Sequence, residues 1–354
     1  MCGISGFADF NADFTKNAAE NTALLIKMRR SIAQRGNNTV GEDLEKNIGL
    51  SQTRLTIRDL KGGNQPIIRH RNGYTYAIVY NGEIYNTDEL NKELIEKGYE
   101  FKTTTDTETI LYAYMEYGEK CAEMLNGIFA FAIWDSKTEK LYLFRDRNGI
   151  KPLFYAISGS TLVFGSEIKA LFCHPLVKPV IDDDTIRQVF SILPARSEGS
   201  GVFKGIKEVK YGSYIVFDRN GLSEKRYWQL ESHTHTESYE DTVQHLNYLI
   251  NDAVNRQMVS DVPVCSFLSG GIDSCIVTAI ASNYLNERGK ILNTFSFDFT
   301  DNNKYFKPSS FQPEQDKPYV RKMLAHFNVN HTFLECEQLE LADYLYKAVD
   351  AKDV

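Results

Sequence analysis

Two stretches of this 354-residue sequence combine residue types that could do chemistry: MCGISGF at the start and SGGIDS at positions 269–274. In the first, removal of Met1 would leave Cys2 with a thiol and a free α-amine on one Cα. An α-amine titrates near ~8, so at neutral pH it could act as base for its own nucleophile. The alternative is a small cysteine buried in an amino-terminal strand, a common place for free cysteine. On these seven residues alone the packing role is favoured. In the second stretch, Ser269, Gly270 and Gly271 stand where an apolar run gives way to a helical pattern. Their backbone N–H groups would face an anion at a helix amino terminus, and Ser274 would add a hydroxyl. Asp273 would hold Mg²⁺ opposite the phosphates. No Gly-Lys-Ser/Thr follows, so the run is not a Walker A loop. A plain glycine turn competes with this reading, and the strand-to-helix setting of the whole string favours phosphate.

The elements that must position these residues change character along the chain. Up to about Trp228 the sequence is strand-rich. Ala23 to Gln34 has apolar residues at helical spacing, and Tyr74 to Val79 reads as a short strand ending at Asn81-Gly82. Thr87 to Gly98 and Thr107 to Tyr117 read as helices. Strands follow at Ile128 to Trp134, Leu141 to Arg145, Leu153 to Ile157 and Leu162 to Phe164, separated by turn dipeptides. The expectation is two packed sheets covered by helices. Glu231 to Glu240 is polar and rich in Ser, Thr and His, as a linker would be. Beyond it strand and helix alternate: a helix around Val243 to Val254, a strand at Val262 to Leu268 and a helix at Ile272 to Leu285. A strand at Thr294 to Phe299, a helix near Pro318 to Phe327, a strand at His331 to Leu334 and a helix at Leu339 to Val349 follow. Such alternation predicts βαβ units and a parallel sheet, so two domains of different class meet near residue 230.

Composition narrows the function classes. The chain is long enough for two cores. Its formal net charge of −7 and pI near 5.6 argue against a nucleic-acid-binding surface, although backbone N–H groups can still bind a nucleotide. No apolar run reaches the ~20 residues of a membrane span, and the start lacks the parts of a secretory signal. Six scattered cysteines form no CxxC pair, which predicts neither a zinc site nor a disulfide framework and points to the cytoplasm.

The motifs then resemble two known families in order. SGGIDS is similar to the pyrophosphate loop of the N-type ATP-pyrophosphatases, and DVPVCSFLSGGIDS (261–274) to the asparagine synthetase version of it. MCGISGF resembles the start of a class II glutamine amidotransferase, in which Met is removed and the exposed cysteine attacks glutamine. Between them TRLTIRDL and NQP (53–66), YNGEIYN (80–86), TDTE (105–108), LNGIFAFAIWD (125–135), RDRNGIKPLFY (145–155) and SEIKAL (166–171) follow in the family's order. Asn-Gly occurs five times, so most copies are ordinary turns, and only Asn81-Gly82 has the NGEIYN context.

The resemblance implies an α+β domain over 1–225, an αββα sandwich of the N-terminal-nucleophile hydrolase type. An incomplete α/β doubly wound parallel-sheet domain would follow over 239–354. It implies Cys2 as nucleophile, with the Asn81 side chain and the Gly82 N–H as oxyanion hole. Arg54 would clamp the glutamine α-carboxylate, Asp106 would pair with the α-amine, and Glu83 would also bind glutamine. ATP would lie against Leu268, Ser269, Gly270, Gly271, Asp273, Ser274 and Phe297, with Mg²⁺ on Asp273. The implied activity is glutamine-dependent asparagine synthesis from glutamine, aspartate and ATP. The alternatives are amidation of another carboxylate, a stand-alone glutaminase and an inactive subunit of a larger complex. Three departures stand out. QRGNN (34–38) replaces the usual Arg-Gly-Pro-Asp, which members often precede with His; Cys265 replaces a common glycine; and the sequence ends at AVDAKDV, before an acidic Ser-Gly-Glu-Gly stretch of the family. An incomplete second domain would expose an apolar edge, which favours pairing with a second copy or a partner chain.

Overall fold

The computed structural model describes residues 2–191, 197–310 and 312–352. Met1, and with it the expected processing step, lies outside them, as do the last two residues of AVDAKDV. The chain separates into two compact units, residues 2–232 and 233–352.

The first unit is built from strands β1 (Gly3–Ala8), β2 (Thr39–Leu44), β3 (Ile48–Arg54), β4 (Ile67–Arg71), β5 (Tyr74–Ile84) and β6 (Gly127–Asp135). It continues with β7 (Lys140–Arg145), β8 (Phe154–Ser158), β9 (Thr161–Gly165), β10 (Ile206–Glu208), β11 (Ser213–Asp218) and β12 (Gly221–Arg226). Among the described residues these form two antiparallel six-stranded sheets, ordered β10-β8-β9-β1-β3-β2 and β12-β11-β7-β6-β5-β4. Side chains alternate across a strand, so each sheet has two apolar faces to cover. The inner faces meet through Ile4, Ala8, Ile48 and Leu50 from one sheet and Ala77, Val79, Ala130, Ala132 and Leu143 from the other. On the outer face of the first sheet, α1 (Ala18–Ser31) and α5 (Ile168–Phe172) pack Leu25, Met28, Ile168 and Leu171 against Phe7, Phe154 and Val163. On the outer face of the second, α2 (Thr87–Glu96) and α3 (Asp106–Tyr117) set Leu90, Leu94, Ile110 and Leu111 against Ile78, Phe129 and Phe131. The layers are thus helix, sheet, sheet, helix.

Two local expectations are corrected. The strand expected to stop at Asn81-Gly82 continues to Ile84, with Gly82 opposite Phe129 and Ile84 opposite Gly127. Glycine is needed there for contact, not for a turn: a Cβ on Gly82 would come within 2.3 Å of the Ile128 carbonyl oxygen. The first helix starts at Ala18 rather than Ala23 and gives way to a short 3₁₀ turn, Ala33–Arg35.

The second unit holds α7 (Tyr239–Arg256), β13 (Cys265–Phe267), α8 (Ile272–Asn286), β14 (Leu292–Phe299), α10 (Lys317–Leu324), β15 (Val329–Cys336) and α11 (Gln338–Lys352); α4 (Cys121–Met124), α6 (Asp183–Ser191) and α9 (Asn302–Tyr305) are short. Its three strands pair in parallel in the order β13-β14-β15. The strand expected from Val262 is reduced to three residues, because Pro263 offers no N–H to the ladder. One face of the sheet is packed: α7 and α8 bury Met258 and Ala281 with Leu292, and α10 buries Val320 with Leu268 and Cys275. On the opposite face Phe267 and Phe297 remain exposed at 75% and 56%. No helix among the described residues is long and apolar enough to cross a membrane.

Candidate functional site

In the first unit the sequence-predicted Cys2, Arg54, Gly82, Glu83 and Asp106 line one pocket with Leu55, Arg58, Gln65, Tyr80, Thr105 and neighbours, while Asn81 lies next along the chain and is not among the lining residues. The register explains the convergence. Gly3 pairs with Thr53, so Cys2 just before β1 sits beside Arg54 at the end of β3. The Cys2 thiol donates to the Leu55 carbonyl at 3.5 Å. Burial pushes this thiol up, against the pull of Arg54.

The edge of β5 carries the other half of the site. The N–H and C=O of a strand residue point to one side, and successive residues alternate sides. Tyr80 donates its N–H to Gln65 Oε1 at 2.6 Å, and Ile84 donates its N–H to Asp106 Oδ2 at 3.0 Å. Both bonds point away from β6. Gly82 lies between them in the same phase, and its cross-strand neighbour Phe129 exchanges its own backbone bonds with Asp146 instead. The Gly82 N–H is therefore turned to the pocket side of β5. Asn81, 1% exposed, has its Nδ2 buried without a partner. An unpartnered side-chain donor beside a backbone N–H on the next residue is an arrangement that suits an oxyanion.

Arg54 is equally underused. Its Nη2 donates to the carbonyls of Arg58 and Asp59 at 2.8 and 2.9 Å, while its buried Nη1 has no partner. Asp106, capped into the first turn of α3 behind Thr105, accepts from the Tyr80 hydroxyl at 2.8 Å as well as from Ile84. Burial raises the Asp106 carboxyl. Glu83 is pushed up to about 8 by burial and by the nearby Asp106, against Arg58, Lys151 and Arg54. A site with one unfilled guanidinium donor and two proton-hungry carboxylates suits a zwitterion with a carboxylate and an ammonium.

The QRGNN departure leaves this pocket supported by neutral groups and one ion pair. Arg35 donates Nε to the Cys2 carbonyl and Nη1 to Glu167, both at 2.8 Å, and Gln34 donates to the other Glu167 oxygen at 2.8 Å. Asn38 accepts from the Thr56 N–H at 2.9 Å, fastening the loop after Arg54. Three contributors had no role assigned from the sequence: Gln65, Tyr80 and Arg58. Arg58 donates to the Ile84 carbonyl and the Thr87 hydroxyl. All three lie inside quoted motifs (NQP, YNGEIYN, TRLTIRDL), and only motif membership could have flagged them.

In the second unit a cleft of about 350 Å³ opens at the carboxyl ends of the strands, where parallel sheets bind ligands. Of the predicted residues, Leu268, Ser269 and Phe297 line it, with Phe295, Phe299 and Lys317. Gly270, Gly271, Asp273 and Ser274 lie next along the chain, in the loop and first turn of α8, and are not among the lining residues. Gly270 takes φ +87°, and a Cβ there would press on Tyr319 and the Asp316 carbonyl, so only glycine fits. The Ser269 and Ser274 hydroxyls bond each other at 3.0 Å and shape the turn. Asp273 is an exposed carboxylate, and among the described residues no cluster of three His, Cys, Asp or Glu could hold a metal unaided. A single carboxylate does fit Mg²⁺ when phosphate oxygens complete its shell.

Residues 1–228 match the family model for a glutamine amidotransferase domain, and residues 245–354 match the model for asparagine synthase. Asparagine synthetase (glutamine-hydrolyzing) 3 of Bacillus subtilis is 44% identical over 355 residues, which covers 100% of this chain and 57% of that protein. Asparagine synthetase B (glutamine-hydrolyzing) of Escherichia coli is 32% identical over 297 residues, covering 81% of this chain and 46% of that protein. The chain thus spans about half the length of these curated relatives. Among solved structures, the glutamine phosphoribosylpyrophosphate amidotransferase of B. subtilis aligns with a TM-score of 0.47 at 16% identity, over 84% of this chain and 75% of that one. Matched from residue 1 to 228, the chain belongs to the glutamine amidotransferase domain family, and in this sequence that domain is followed by a stretch of the asparagine synthase family.

Proposed function

We propose that the first unit hydrolyses glutamine to supply ammonia, and that the second serves ATP-dependent conversion of aspartate to asparagine. One observation carries the first half. Cys2, Arg54, Gly82, Glu83 and Asp106 line a single pocket, in which the buried Arg54 Nη1 has no partner.

In this reading Arg54 takes the glutamine α-carboxylate, and Glu83 with Asp106 takes the α-ammonium. The side-chain amide then lies against Cys2. After loss of Met1, the Cys2 amine accepts the thiol proton as sulfur bonds to the amide carbon. Negative charge moves to the amide oxygen, where Asn81 and Gly82 donate to it. Collapse of this adduct breaks the C–N bond, and the amine's proton leaves with ammonia. Water then cleaves the γ-glutamyl thioester to glutamate, returning the thiol. In the second unit, Leu268, Phe297 and the Ser269–Ser274 loop would hold ATP, and Asp273 would hold Mg²⁺. ATP supplies activation of the aspartate β-carboxylate, with release of pyrophosphate and AMP.

The test is a product assay. Cys2→Ala should abolish glutamate formation from glutamine and leave the far-ultraviolet circular dichroism unchanged. Glutaminase activity surviving in Cys2→Ala, or Met1 retained in an active preparation, would remove the basis of the proposal.

A further inference from the structure

Two glutamines have no part in the mechanism above: Gln52 of β3 and Gln65 of the loop before β4. Both are buried, at 1% and 5% exposure. Their use follows from the point at which β5 loses a neighbour. β4 pairs with β5 only as far as Ile67 opposite Ile78, whereas β6 stays beside β5 to Ile84. Beyond Ile78 the outer edge of β5 has no strand against it, and its buried backbone groups need partners of another kind.

Side chains supply them. The Tyr80 N–H donates to Gln65 Oε1 at 2.6 Å, and the Tyr80 carbonyl accepts from Gln52 Nε2 at 3.2 Å. The Ile84 N–H donates to Asp106 Oδ2 at 3.0 Å, and the Ile84 carbonyl accepts from Arg58 Nη1 at 3.2 Å. Gly82 lies midway between them and lines the pocket. The strand is thus held from outside on both flanks of Asn81-Gly82. At the Tyr80 flank both amides have a fixed sense, because a carbonyl only accepts and an N–H only donates. Gln65 also donates Nε2 to the Thr107 hydroxyl at 3.1 Å, in the turn of α3 that carries Asp106. Gln52 leaves its Oε1 buried with no partner, a cost that the bond to Tyr80 has to offset.

We propose that Gln52 and Gln65 are positioning residues of the glutaminase site. They form an amide clasp on the Tyr80 backbone that stands in for the missing strand and sets the direction of the Asn81 side chain and the Gly82 N–H. The clasp acts through β5 on these donors and not on glutamine. With one amide removed, the strand is free to shift at Tyr80, and a displacement of about 1 Å can cost roughly 10² in rate. The proposal rests on reading this pocket as a glutaminase, and the experiment keeps the two ideas apart.

The experiment measures kcat and KM for glutamine on the full chain, well below its melting midpoint. Gln52→Met, similar in length and unable to donate, should lower kcat about tenfold and leave KM within about twofold, since an oxyanion donor acts in the transition state. Gln65→Met should move kcat in the same direction. A residue serving stability alone would lower the melting midpoint and leave the kcat of folded protein unchanged. Beside Asn81→Ala, Gln52→Met should cost about threefold or less, because one of the donors it aligns is already gone. A Gln52→Met kcat within about twofold of the parent, or a loss undiminished beside Asn81→Ala, would overturn the clasp and leave the Cys2 nucleophile standing. If Gln52→Met does not fold, Gln65→Met takes its place in both assays. Failure of both to fold would assign the pair to structure and overturn the proposal. Glutamine hydrolysis that survives in Cys2→Ala would overturn the reading of the pocket, and the clasp with it.

Discussion

If Glu83 takes the glutamine α-ammonium as proposed, binding is a proton-linked event whose size can be worked out. With its carboxyl at about 8, Glu83 holds a proton through most of the neutral range. An α-ammonium gains from the ionised form and is repelled by no charge it could replace, so the bound state favours deprotonation. If only ionised Glu83 binds well, the apparent dissociation constant scales with one plus the ratio of protonated to ionised carboxyl. That factor is roughly 100 at pH 6, roughly 10 at pH 7 and roughly 2 at pH 8 for a midpoint near 8. KM for glutamine should therefore fall about fiftyfold from pH 6 to pH 8, with a much smaller change in kcat. Calorimetry on Cys2→Ala, in buffers of different ionisation enthalpy, should report close to one proton released per glutamine at pH 7. Glu83→Gln should weaken binding at pH 8 and flatten the profile. The stability sign follows from the same shift. A carboxyl raised in the folded state favours folding while protonated and loses that advantage as pH rises from the ordinary carboxyl range through about 8. Glu83→Gln should accordingly raise Tm at pH 8 relative to the parent, and much less at pH 5. A parent KM flat from pH 6 to 8, or a pH dependence that survives in both Glu83→Gln and Asp106→Asn, would refute this account of the pocket.

Three further outcomes are expected. Arg54→Ala should mainly raise KM for glutamine, whereas Asn81→Ala should lower kcat by about 10²–10³, the usual cost of one oxyanion donor; steady-state kinetics on the two variants separates these effects. Gly82→Ala should lower thermal stability as well as activity, since its Cβ would meet the Ile128 carbonyl oxygen at 2.3 Å; a melting curve matching the parent would count against the strand geometry. Asp273→Ala should remove Mg²⁺-dependent ATP binding measured by equilibrium dialysis and leave glutamine hydrolysis unchanged.

Much of this architecture was readable from residue order. Short strands separated by turn dipeptides predicted the paired sheets, and the switch to alternating strand and helix beyond Glu240 predicted the parallel one. The site was readable because its residues cluster in short strings. Cys2, Arg54, Gly82, Glu83 and Asp106 do line one pocket, with Asn81 next along β5, although only the resemblance raised Arg54 and Asp106 above ordinary surface charges. What resisted reading was set by contacts distant in sequence. Asn81-Gly82 has the composition of a turn, yet pairing with β6 carries the strand straight through it. The Arg35–Glu167 pair joins residues 132 positions apart, and Asp146 ties the loop up to Lys151 to Phe129 through their backbone N–H groups. No local pattern announces such arrangements. The cleft of the second unit was only half legible: the loop sequence was plain, but the aromatic wall from Phe295 to Phe299 follows from the β14 register.

The continuation of β5 through Asn81 and Gly82 bears on how the proposed glutaminase activity should fail. Active-site donors on loops are usually lost early, by fraying that leaves the rest of a protein intact. Here the donors ride on a strand hydrogen-bonded into the second sheet, opposite Ala130 and Phe129 in its interior. Deuterium should enter the backbone amides around them as slowly as anywhere in this unit. Heat should extinguish glutamine hydrolysis only where the sheet itself parts, so that inactivation and melting share one midpoint.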